Sequence, residues 1–460
     1  MNKKDLDRKH PELEAQLPLY VEWDDLFKGG NAMESIAKAS LYLIRHPFET
    51  TKQYEIRLKR ATYRNHAAAV VNVFASALAD VDRKEVEDMF PDYIADVDMI
   101  GSSAFQFFGE VILQATARGA QFVVVDSPSQ KGKTQKEEAV SGKRPYMVSV
   151  PPWDILDWQI KNGKLEWVKI KQYQEIARQP LEEYSSIEQY KIWFQDRWEL
   201  WEAQDDVAVL IDKGNNHLGA IPVVPFFFQQ QSPMIGVSAL NIITGLLKRI
   251  FRHDSELDKN LFDSAVEIAV FLGFTETDLA EFVVSGTNGL RSDSESADMK
   301  YVAPTGRVYE ALRQAINEDE ARVREIALRM LKPDSRQVES AESKREDRQQ
   351  LDSQILRFAR SCEASENLCW EYFSRLAGKE KPPVVVYPKD YDGKQLRSEL
   401  ISSFVRLRQT DSISRETLWD ILRSAGVLPD DFDPEEEKAR IREDMRVSPI
   451  EPLLTTREKR

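Results

Sequence analysis

One short glycine-containing stretch could, by its residue types, bind a nucleotide phosphate. Gly132-Lys-Thr134 follows a predicted strand, as the end of a phosphate-binding loop does. However, Ser127 stands where the first glycine of such a loop should be, and Gly142 and Pro145 interrupt the helix that should follow. The stretch therefore lacks the loop and helix that would hold a phosphate, and we do not predict nucleotide hydrolysis.

A second possible chemistry is binding of a divalent metal by carboxylates in one short segment. Six acidic residues fall close together: Glu85, Glu87, Asp88, Asp92, Asp96 and Asp98. Carboxylate oxygens are the ligands that Mg²⁺ and Ca²⁺ take in proteins, so a metal-dependent nuclease is one alternative function. A solvated charged face or turn explains the same pattern more simply, and it is the interpretation that we favour.

The histidines and cysteines do not form a catalytic pattern. The five histidines are scattered, and His253 and Asp254, although adjacent, point in different directions on a helix. Cys362 and Cys369 are the only cysteines and share one helical pattern, which is typical of a buried helix face in a reducing compartment. We therefore predict no catalytic residue, no metal site and no cofactor, and we expect that the chain is not an enzyme.

Composition and charge limit the remaining classes of protein. The chain has 460 residues and a hydrophobic content of 42%, which is enough for more than one domain. Its net charge is −14. The most apolar run, from Ala220 to Phe228, contains two prolines and is too short to cross a bilayer. No apolar stretch follows the charged N-terminus, so we expect a soluble cytoplasmic product. The acidic balance disfavours a conventional DNA-binding domain, but it does not exclude a protein that lets DNA slide past without gripping it.

The first half of the chain alternates helix and strand signals. Residues 1–50 are mixed and polar, with Trp23 and Phe27 as isolated anchors. A helix is predicted over 103–118, ended by Gly119 and followed by a buried strand. Short strands are predicted at residues 121–125, 146–150, 165–170 and 198–201. Asn162-Gly163 predicts a hairpin turn between two of them. The fold class is therefore α+β.

The second half is dominated by helices. Three long ones are predicted, over residues 238–262, 307–331 and 340–377. The last would be roughly 55 Å long at the helical rise per residue, which is more typical of bundles and ring assemblies than of small monomers. Residues 381–388, an extended segment of prolines and valines, predict a strand, and the C-terminal region is again helical, with Ser414 as an N-cap.

The order of short motifs along the chain resembles that of portal proteins of tailed bacteriophages, particularly a portal-like group defined only as a domain of unknown function. No motif is a signature alone; their order from about residue 40 to 440 carries the resemblance. The motifs are His46-Pro-Phe-Glu49, Tyr54-Glu-Ile-Arg-Leu-Lys-Arg60 with Asn65, Arg144-Pro-Tyr146, Ile155-Leu-Asp-Trp158, Asn162-Gly163, Gly219-Ala-Ile-Pro-Val-Val-Pro225, Gly236-Val-Ser-Ala-Leu240, Ser340-Ala-Glu342, Ser412-Ile-Ser-Arg-Glu-Thr-Leu418 and Gly426-Val-Leu-Pro429.

The resemblance implies a portal fold and a role for each segment. An α/β wing, a two-helix stem, a small clip between the stem helices, a long wing helix and a helical crown are expected. The implied ranges are an N-terminal arm (1–39), the wing (40–235), stem helix 1 (236–263), the clip (264–306), stem helix 2 (307–331), a tunnel loop (332–339), the long helix and remaining wing (340–394), the crown (395–445) and a tail (446–460).

The resemblance also implies partners and a location. Portal subunits form a cyclic ring, usually of twelve copies, at one capsid vertex of the virion, after assembly in the host cytoplasm. The implied partners are viral double-stranded DNA, the large subunit of the terminase motor, a head–tail adaptor, and the major capsid and scaffolding proteins, with no membrane. DNA contact would be independent of sequence.

Five basic residues are the candidates for DNA contact. Lys332 and Arg336 belong to the expected tunnel loop. Lys248, Arg249 and Arg252 lie on one side of stem helix 1 and are weaker candidates, because the first two could instead form ion pairs between subunits. Besides the nuclease, a different phage structural oligomer, such as another head–tail connector, stays open as an alternative.

Overall fold

The computed structural model describes residues 2–128, 144–176, 179–181, 183–204, 206–265, 268–273, 298–302, 307–329 and 341–388, together with Trp419, Glu437 and Lys438. The chain divides into two units, Met1–Lys389 and Asp390–Arg460. Almost all described residues belong to the first unit. The predicted tunnel loop and tail, nearly all of the predicted crown, and the predicted loop at 129–143 lie outside the described residues.

Helices occupy both ends of the first unit. In the described residues they are α1 (Lys3–Asp7), α2 (Pro11–Lys28), α3 (Asn31–Glu34), α4 (Ile36–Tyr42), α5 (Thr51–Arg60), α6 (His66–Ala77), α7 (Lys84–Met89), α8 (Pro91–Ile94), α9 (Ala104–Arg118), α10 (Thr244–Ser264), α11 (Arg307–Arg329) and α12 (Ala341–Leu376).

Strands fill the middle of the chain and confirm the α+β class. They are β1 (Ala120–Asp126), β2 (Tyr146–Val150), β3 (Ile155–Lys161), β4 (Lys164–Glu175), β5 (Ser186–Phe194), β6 (Arg197–Gln204), β7 (Val207–Asn215), β8 (Val223–Phe227), β9 (Gln229–Ser232), β10 (Ile235–Val237), β11 (Ile268–Leu272) and β12 (Asp298–Val302). A short 3₁₀ helix, Pro152–Asp154, separates β2 from β3.

The strands form two main antiparallel sheets and two small ribbons. The strand order is β2-β1-β8 in a three-stranded sheet and β3-β4-β5-β6-β7 in a five-stranded meander. β9 pairs with β10, and β11 with β12. Asn162 and Gly163 have positive φ at the turn between β3 and β4, as a two-residue hairpin turn requires, so the predicted hairpin is confirmed.

The core of the first unit lies between the three-stranded sheet and helices α9 and α12. The sheet's central strand, β1, is buried at six consecutive residues, and α9 directs Phe108 towards the ring of Trp370 on α12. Phe90 and Phe373 pack against the same tryptophan. α9 ends where it was predicted to end, because Gly119 adopts a left-handed conformation that accommodates the turn into β1.

The residues predicted to form an N-terminal arm (1–39) are, in the described range 2–39, mostly helices packed against the rest of the first unit. On α2, Tyr20, Trp23 and Leu26 are buried. Its buried carboxylates have distant partners: Asp24 accepts a hydrogen bond from Arg118, and Asp25 from Lys38. Because these polar residues occupy buried positions, the apolar periodicity of the helix is weak in the sequence.

The first ten residues pack against the five-stranded sheet and connect it to the helices that follow. Leu6 is buried with Leu156 and Tyr190 of the sheet, and the Tyr190 hydroxyl donates a hydrogen bond to Asp7 at 2.6 Å. The buried Lys169 ammonium donates to the backbone oxygens of Asp5 and Arg8. Burial lowers the pKa of Lys169, and the negative charge of Asp157 opposes that shift.

Two further expectations need correction. The helix predicted to begin at residue 238 begins at Thr244, because the Ser238 hydroxyl bonds the backbone of α9 and accepts from Leu240 N–H, which holds residues 238–243 in turns. The extended segment at 381–388 is not a strand of a sheet, since Val386 forms only an isolated bridge with Asp82. In the described part of the chain, no helix is both long and apolar enough to cross a membrane.

Candidate functional site: a helix hairpin with an inserted ribbon

Helices α10 and α11 form an antiparallel hairpin. The Tyr309 hydroxyl near the start of α11 reaches the carbonyl of Asn260 near the end of α10, and Arg249 near the start of α10 contacts Asp319 in the second half of α11. Apolar residues line the inner face of α10, where Leu247, Ile250, Phe251 and Leu257 are buried. On α11, Ile316 and Val323 are buried. Helical spacing therefore gives each helix an inward stripe.

A close backbone approach positions the start of the hairpin. A Cβ added at Gly236 would lie 2.1 Å from the carbonyl oxygen of Gly119, so only glycine fits there. The Gly236 N–H donates to the hydroxyl of Tyr20 on α2, and burial raises the pKa of that hydroxyl to about 12. We call the first unit without α10, the ribbon and α11 the body. The chain thus enters α10 from a fixed point of the body where α2, α9 and β10 meet.

An ion pair closes the two helices onto each other. The Arg249 guanidinium donates both to Asp319 Oδ1 and to Asp319 Oδ2, in a bidentate arrangement. Asp319 is almost fully buried, whereas Arg249 is about half exposed. The hydrogen bonds to Asp319 raise the pKa of Arg249, so the cation persists at every accessible pH.

A second charged network ties the hairpin to the body. Arg64, just before α6, contacts Asp254 on α10 at 2.9 Å and Glu320 on α11 at 2.8 Å. His66 lies 3.4 Å from the same Glu320. Burial raises the pKa of Asp254, and the charge of Arg64 opposes that rise. One arginine therefore neutralises a carboxylate from each hairpin helix.

A two-stranded ribbon extends the hairpin at the end away from this network. β11 follows α10 and pairs antiparallel with β12, which precedes α11, with Ile268 opposite Val302 and Leu272 opposite Asp298. The segment 274–297 between the strands lies outside the described residues. Nearby, Leu261 and Phe262 of α10 are exposed, and the Arg60 guanidinium lies 4.1 Å from the Phe262 ring centroid.

The structure assigns partners within the chain to all three basic residues predicted on α10. Lys248 contacts Glu22 of α2 at 2.6 Å, and Arg249 contacts Asp319. Arg252 donates to the carbonyl of Tyr42 at 2.9 Å. Both basic residues for which we considered ion pairs between subunits, Lys248 and Arg249, therefore have an acidic partner within the chain. The other two DNA-contact candidates, Lys332 and Arg336, lie outside the described residues.

The residues considered for other chemistry do not converge. Glu85 accepts from Val384 N–H, Asp96 contacts Arg144 at 2.6 Å, and Asp98 accepts from Ile100 and Ser102 N–H. Across the described ranges, no three His, Cys, Asp or Glu side chains are grouped as metal ligands would be. The Gly132-Lys-Thr134 stretch lies outside the described residues, and Cys362 and Cys369 are buried, unbridged core residues.

Sequence reasoning missed the acidic partners that organise the site. Asp319 and Glu320 sit in the run Glu318-Asp-Glu320, which resembles an ordinary solvated face of a helix. Their partners are 70 and 256 residues away along the chain. The only local signal was an acidic run at helical spacing from the buried residues Ile316 and Val323, which would place one of its acids on the inner face.

One family model matches the part of the chain that contains the hairpin. A family described as "Domain of unknown function (DUF4055)" matches residues 233–375, which contain α10, the ribbon, α11 and nearly all of α12. No curated protein matches the chain.

Three solved structures of gene transfer agent (GTA) particles contain similar chains. A chain in the neck of an empty particle, computed with C6 symmetry, is 13% identical, with a TM-score of 0.38, covering 86% of this chain and 99% of that chain. A chain in the virion of the native particle is 12% identical, with a TM-score of 0.38 and coverages of 86% and 98%. A chain in the neck of the native particle, computed with C12 symmetry, is 12% identical, with a TM-score of 0.37 and coverages of 85% and 98%.

Proposed function

We propose that the chain is the portal subunit of a tailed-phage particle, which assembles into a ring through which DNA is packaged and ejected. One observation carries the proposal. The two helices of an antiparallel hairpin, α10 and α11, are connected through a β-ribbon, and the 36-residue helix α12 follows them in the sequence. This is the order of stem, clip, stem and long wing helix that the motif order implies. In this proposal the ribbon belongs to the clip, which docks the terminase motor and later the head–tail adaptor.

The hairpin has the surface that a stem in a ring would need. The inner faces of α10 and α11 pack against each other through apolar side chains and the Arg249–Asp319 ion pair. The opposite face of α11 presents exposed Glu310, Gln314, Glu318 and Arg322 at helical spacing. A stem helix in a ring needs a second, polar face for a neighbour or for the channel.

The charge of the chain suits a channel for DNA. A net charge of −14 repels phosphates and disfavours tight binding, so DNA contact would be non-specific and would weaken with salt. We propose Lys332 and Arg336 as the transient phosphate contacts. Because Lys248, Arg249 and Arg252 have partners within the chain, they are weaker candidates.

We also propose that the chain hydrolyses neither nucleotides nor DNA. Energy for packaging would come from a separate ATPase docked on the clip. A plasmid-cleavage assay with Mg²⁺ or Mn²⁺ tests this part of the proposal, and cleavage that survives repurification and is lost with Asp96→Asn would contradict it.

The ring is tested by imaging and mass measurement of the purified chain. Negative-stain images are expected to show an annulus with a central hole, and native mass spectrometry a closed multiple of the subunit mass, usually twelve. Val323→Asp, which places a carboxylate in the inner face of the hairpin, should abolish rings. Val308→Asp on the same helix is a matched control, because Val308 is exposed. A stable monomer of the unmodified chain overturns the proposal.

A further inference from the structure

Two surfaces of the body each present a group of exposed hydrophobic side chains. Of the described residues, five large hydrophobic side chains are more than 70% exposed: Leu41, Ile44, Phe48, Ile100 and Leu181. Three of them lie on one short stretch of the chain, and Leu181 lies in a second group with Tyr173, Ile176 and Tyr184. Exposed apolar groups of this kind mark surfaces that bind other molecules.

The first surface, which we call the 41–52 surface, combines apolar and basic groups. It follows α4 and presents Leu41, Ile44 and Phe48, with Phe48 91% exposed. The exposed cations beside them are Arg45 and Lys52. The neighbouring acid, Glu49, is buried and paired with Arg57 at 2.8 Å, so it does not cancel their charge at the surface.

The second surface, which we call the β4–β5 tip, combines apolar and acidic groups. It is the end of the hairpin formed by β4 and β5, closed by a hydrogen bond from Ile176 N–H to the Ser185 carbonyl. Glu175 and Glu183 are exposed there.

The two surfaces are complementary but lie on different parts of one subunit. α4 packs against α3, α5 and α10, whereas β4 packs against β3, β5 and the 3₁₀ helix. A closed ring of identical subunits requires two different, mutually complementary patches on each subunit, one for each neighbour. An apolar centre with opposite charges around it is the usual composition of such a contact.

We propose that the partner of each surface is a second copy of this chain, with the β4–β5 tip of one subunit packed on the 41–52 surface of the next. This inference rests on the proposed ring. It goes further by naming the two faces that meet, Phe48 with Leu181 at the centre and Arg45 with Glu183 at the rim.

Cysteine cross-linking in the assembled ring tests the contact. The double variant Phe48→Cys with Leu181→Cys, treated with a short bismaleimide, should give a ladder of covalent multimers on a denaturing gel. Phe48→Cys with Ile100→Cys is the matched control, because Ile100 is 86% exposed but belongs to neither surface. The two native cysteines are buried and present in every variant.

Charge reversal provides an independent readout. Arg45→Glu and Glu183→Arg should each raise the subunit concentration at which rings dissociate by roughly tenfold, and combining them should restore assembly. Intact rings without a ladder, or a combined variant no better than either single one, overturn this contact but leave the portal proposal standing. An unmodified chain that forms no ring overturns both.

Discussion

Two ion pairs join distant parts of the chain, one in the body and one in the hairpin, and their surroundings differ. In the body, the side chains of Arg83 and Glu366 are only 7% and 0% exposed, and Tyr387 donates a further hydrogen bond to the carboxylate. In the hairpin, Asp319 is 3% exposed but Arg249 is 45% exposed. If the carboxylate partner is removed, water can therefore hydrate the guanidinium of Arg249, but it cannot reach that of Arg83.

The difference indicates that the two regions are stabilised for different purposes. A pair buried on both sides costs much free energy when one partner is removed, because the remaining charge stays in a medium of low polarity. Removing one partner of a pair whose other partner is exposed to water costs less free energy of unfolding. The destabilisation is then confined to the surrounding residues. The body is thus suited to be a rigid platform, and the hairpin to be an element whose closure can adjust.

The largest expected effect is in the body. Glu366→Gln leaves the Arg83 cation buried beside a neutral amide, and it weakens the hydrogen bonds from Trp370 and Tyr387. We expect the free energy of unfolding to fall by about 3–5 kcal/mol. Urea denaturation followed by tryptophan fluorescence measures this change.

Two variants sharpen that result. Arg83→Met combined with Glu366→Leu removes both charges and should cost less than Glu366→Gln alone, because no unpaired charge is left. Glu371→Gln on the same helix removes an exposed partner of Arg375 and should change stability by about 0–1 kcal/mol. Equal losses for Glu366→Gln and Glu371→Gln would show that burial does not separate the two pairs.

A smaller effect is expected in the hairpin. Arg249→Gln removes the bidentate partner of the buried Asp319 carboxylate, leaving Arg322 at 3.7 Å. We expect a loss of about 1–3 kcal/mol, the usual cost of weakening a buried polar group's partners. The loss should be local, so hydrogen exchange should accelerate at the amides of α11 but not at those of α9.

Arg313→Gln controls for the change of residue type, because Arg313 is an exposed arginine on the outer side of α11. It should leave exchange in α11 unaltered. Acceleration of exchange in α9 by Arg249→Gln would mean that the hairpin and the body unfold together, contrary to the comparison.

How much of this could be predicted from the sequence depended on whether the determining contacts were local. The end of α9 at Gly119 and the turn at Asn162-Gly163 follow from the conformations of residues within one turn, and both were predicted. The long helix α12 was predicted within one residue at each end from its apolar spacing. The start of α10 was misplaced because Ser238 is held by the backbone of α9, 121 residues away, which no local pattern records.

The same distinction explains which contacts at the N-terminus and in the candidate site could not be predicted from the sequence. Asp24 and Asp25 break the apolar stripe of α2, and partners that include Arg118 and Lys38 make their burial possible. Arg249 was predicted to face a channel or a neighbouring subunit because an arginine on a helix is normally exposed. Its partner Asp319 becomes visible only when α10 and α11 are placed side by side.

The smallest expected effect is a change in stability with pH that comes from one carboxyl group of the body. Burial raises the pKa of Asp154, in the 3₁₀ helix, from 3.8 to about 6, although Lys171 and Arg118 oppose the rise. Because the folded protein holds this proton more tightly than the unfolded chain does, folding is favoured below pH 4 and this contribution is lost as pH rises to 6. Asp154→Asn should therefore unfold at a higher urea concentration than the unmodified chain at pH 7, and at the same concentration at pH 4. Asp254 of α10 also has a raised pKa, because its burial outweighs the attraction of Arg64, so Asp254→Asn should likewise unfold at a higher urea concentration than the unmodified chain at pH 7. A loss of stability for either substitution at pH 7 would show that its ionised carboxylate stabilises the folded chain, contrary to the direction of the pKa shift.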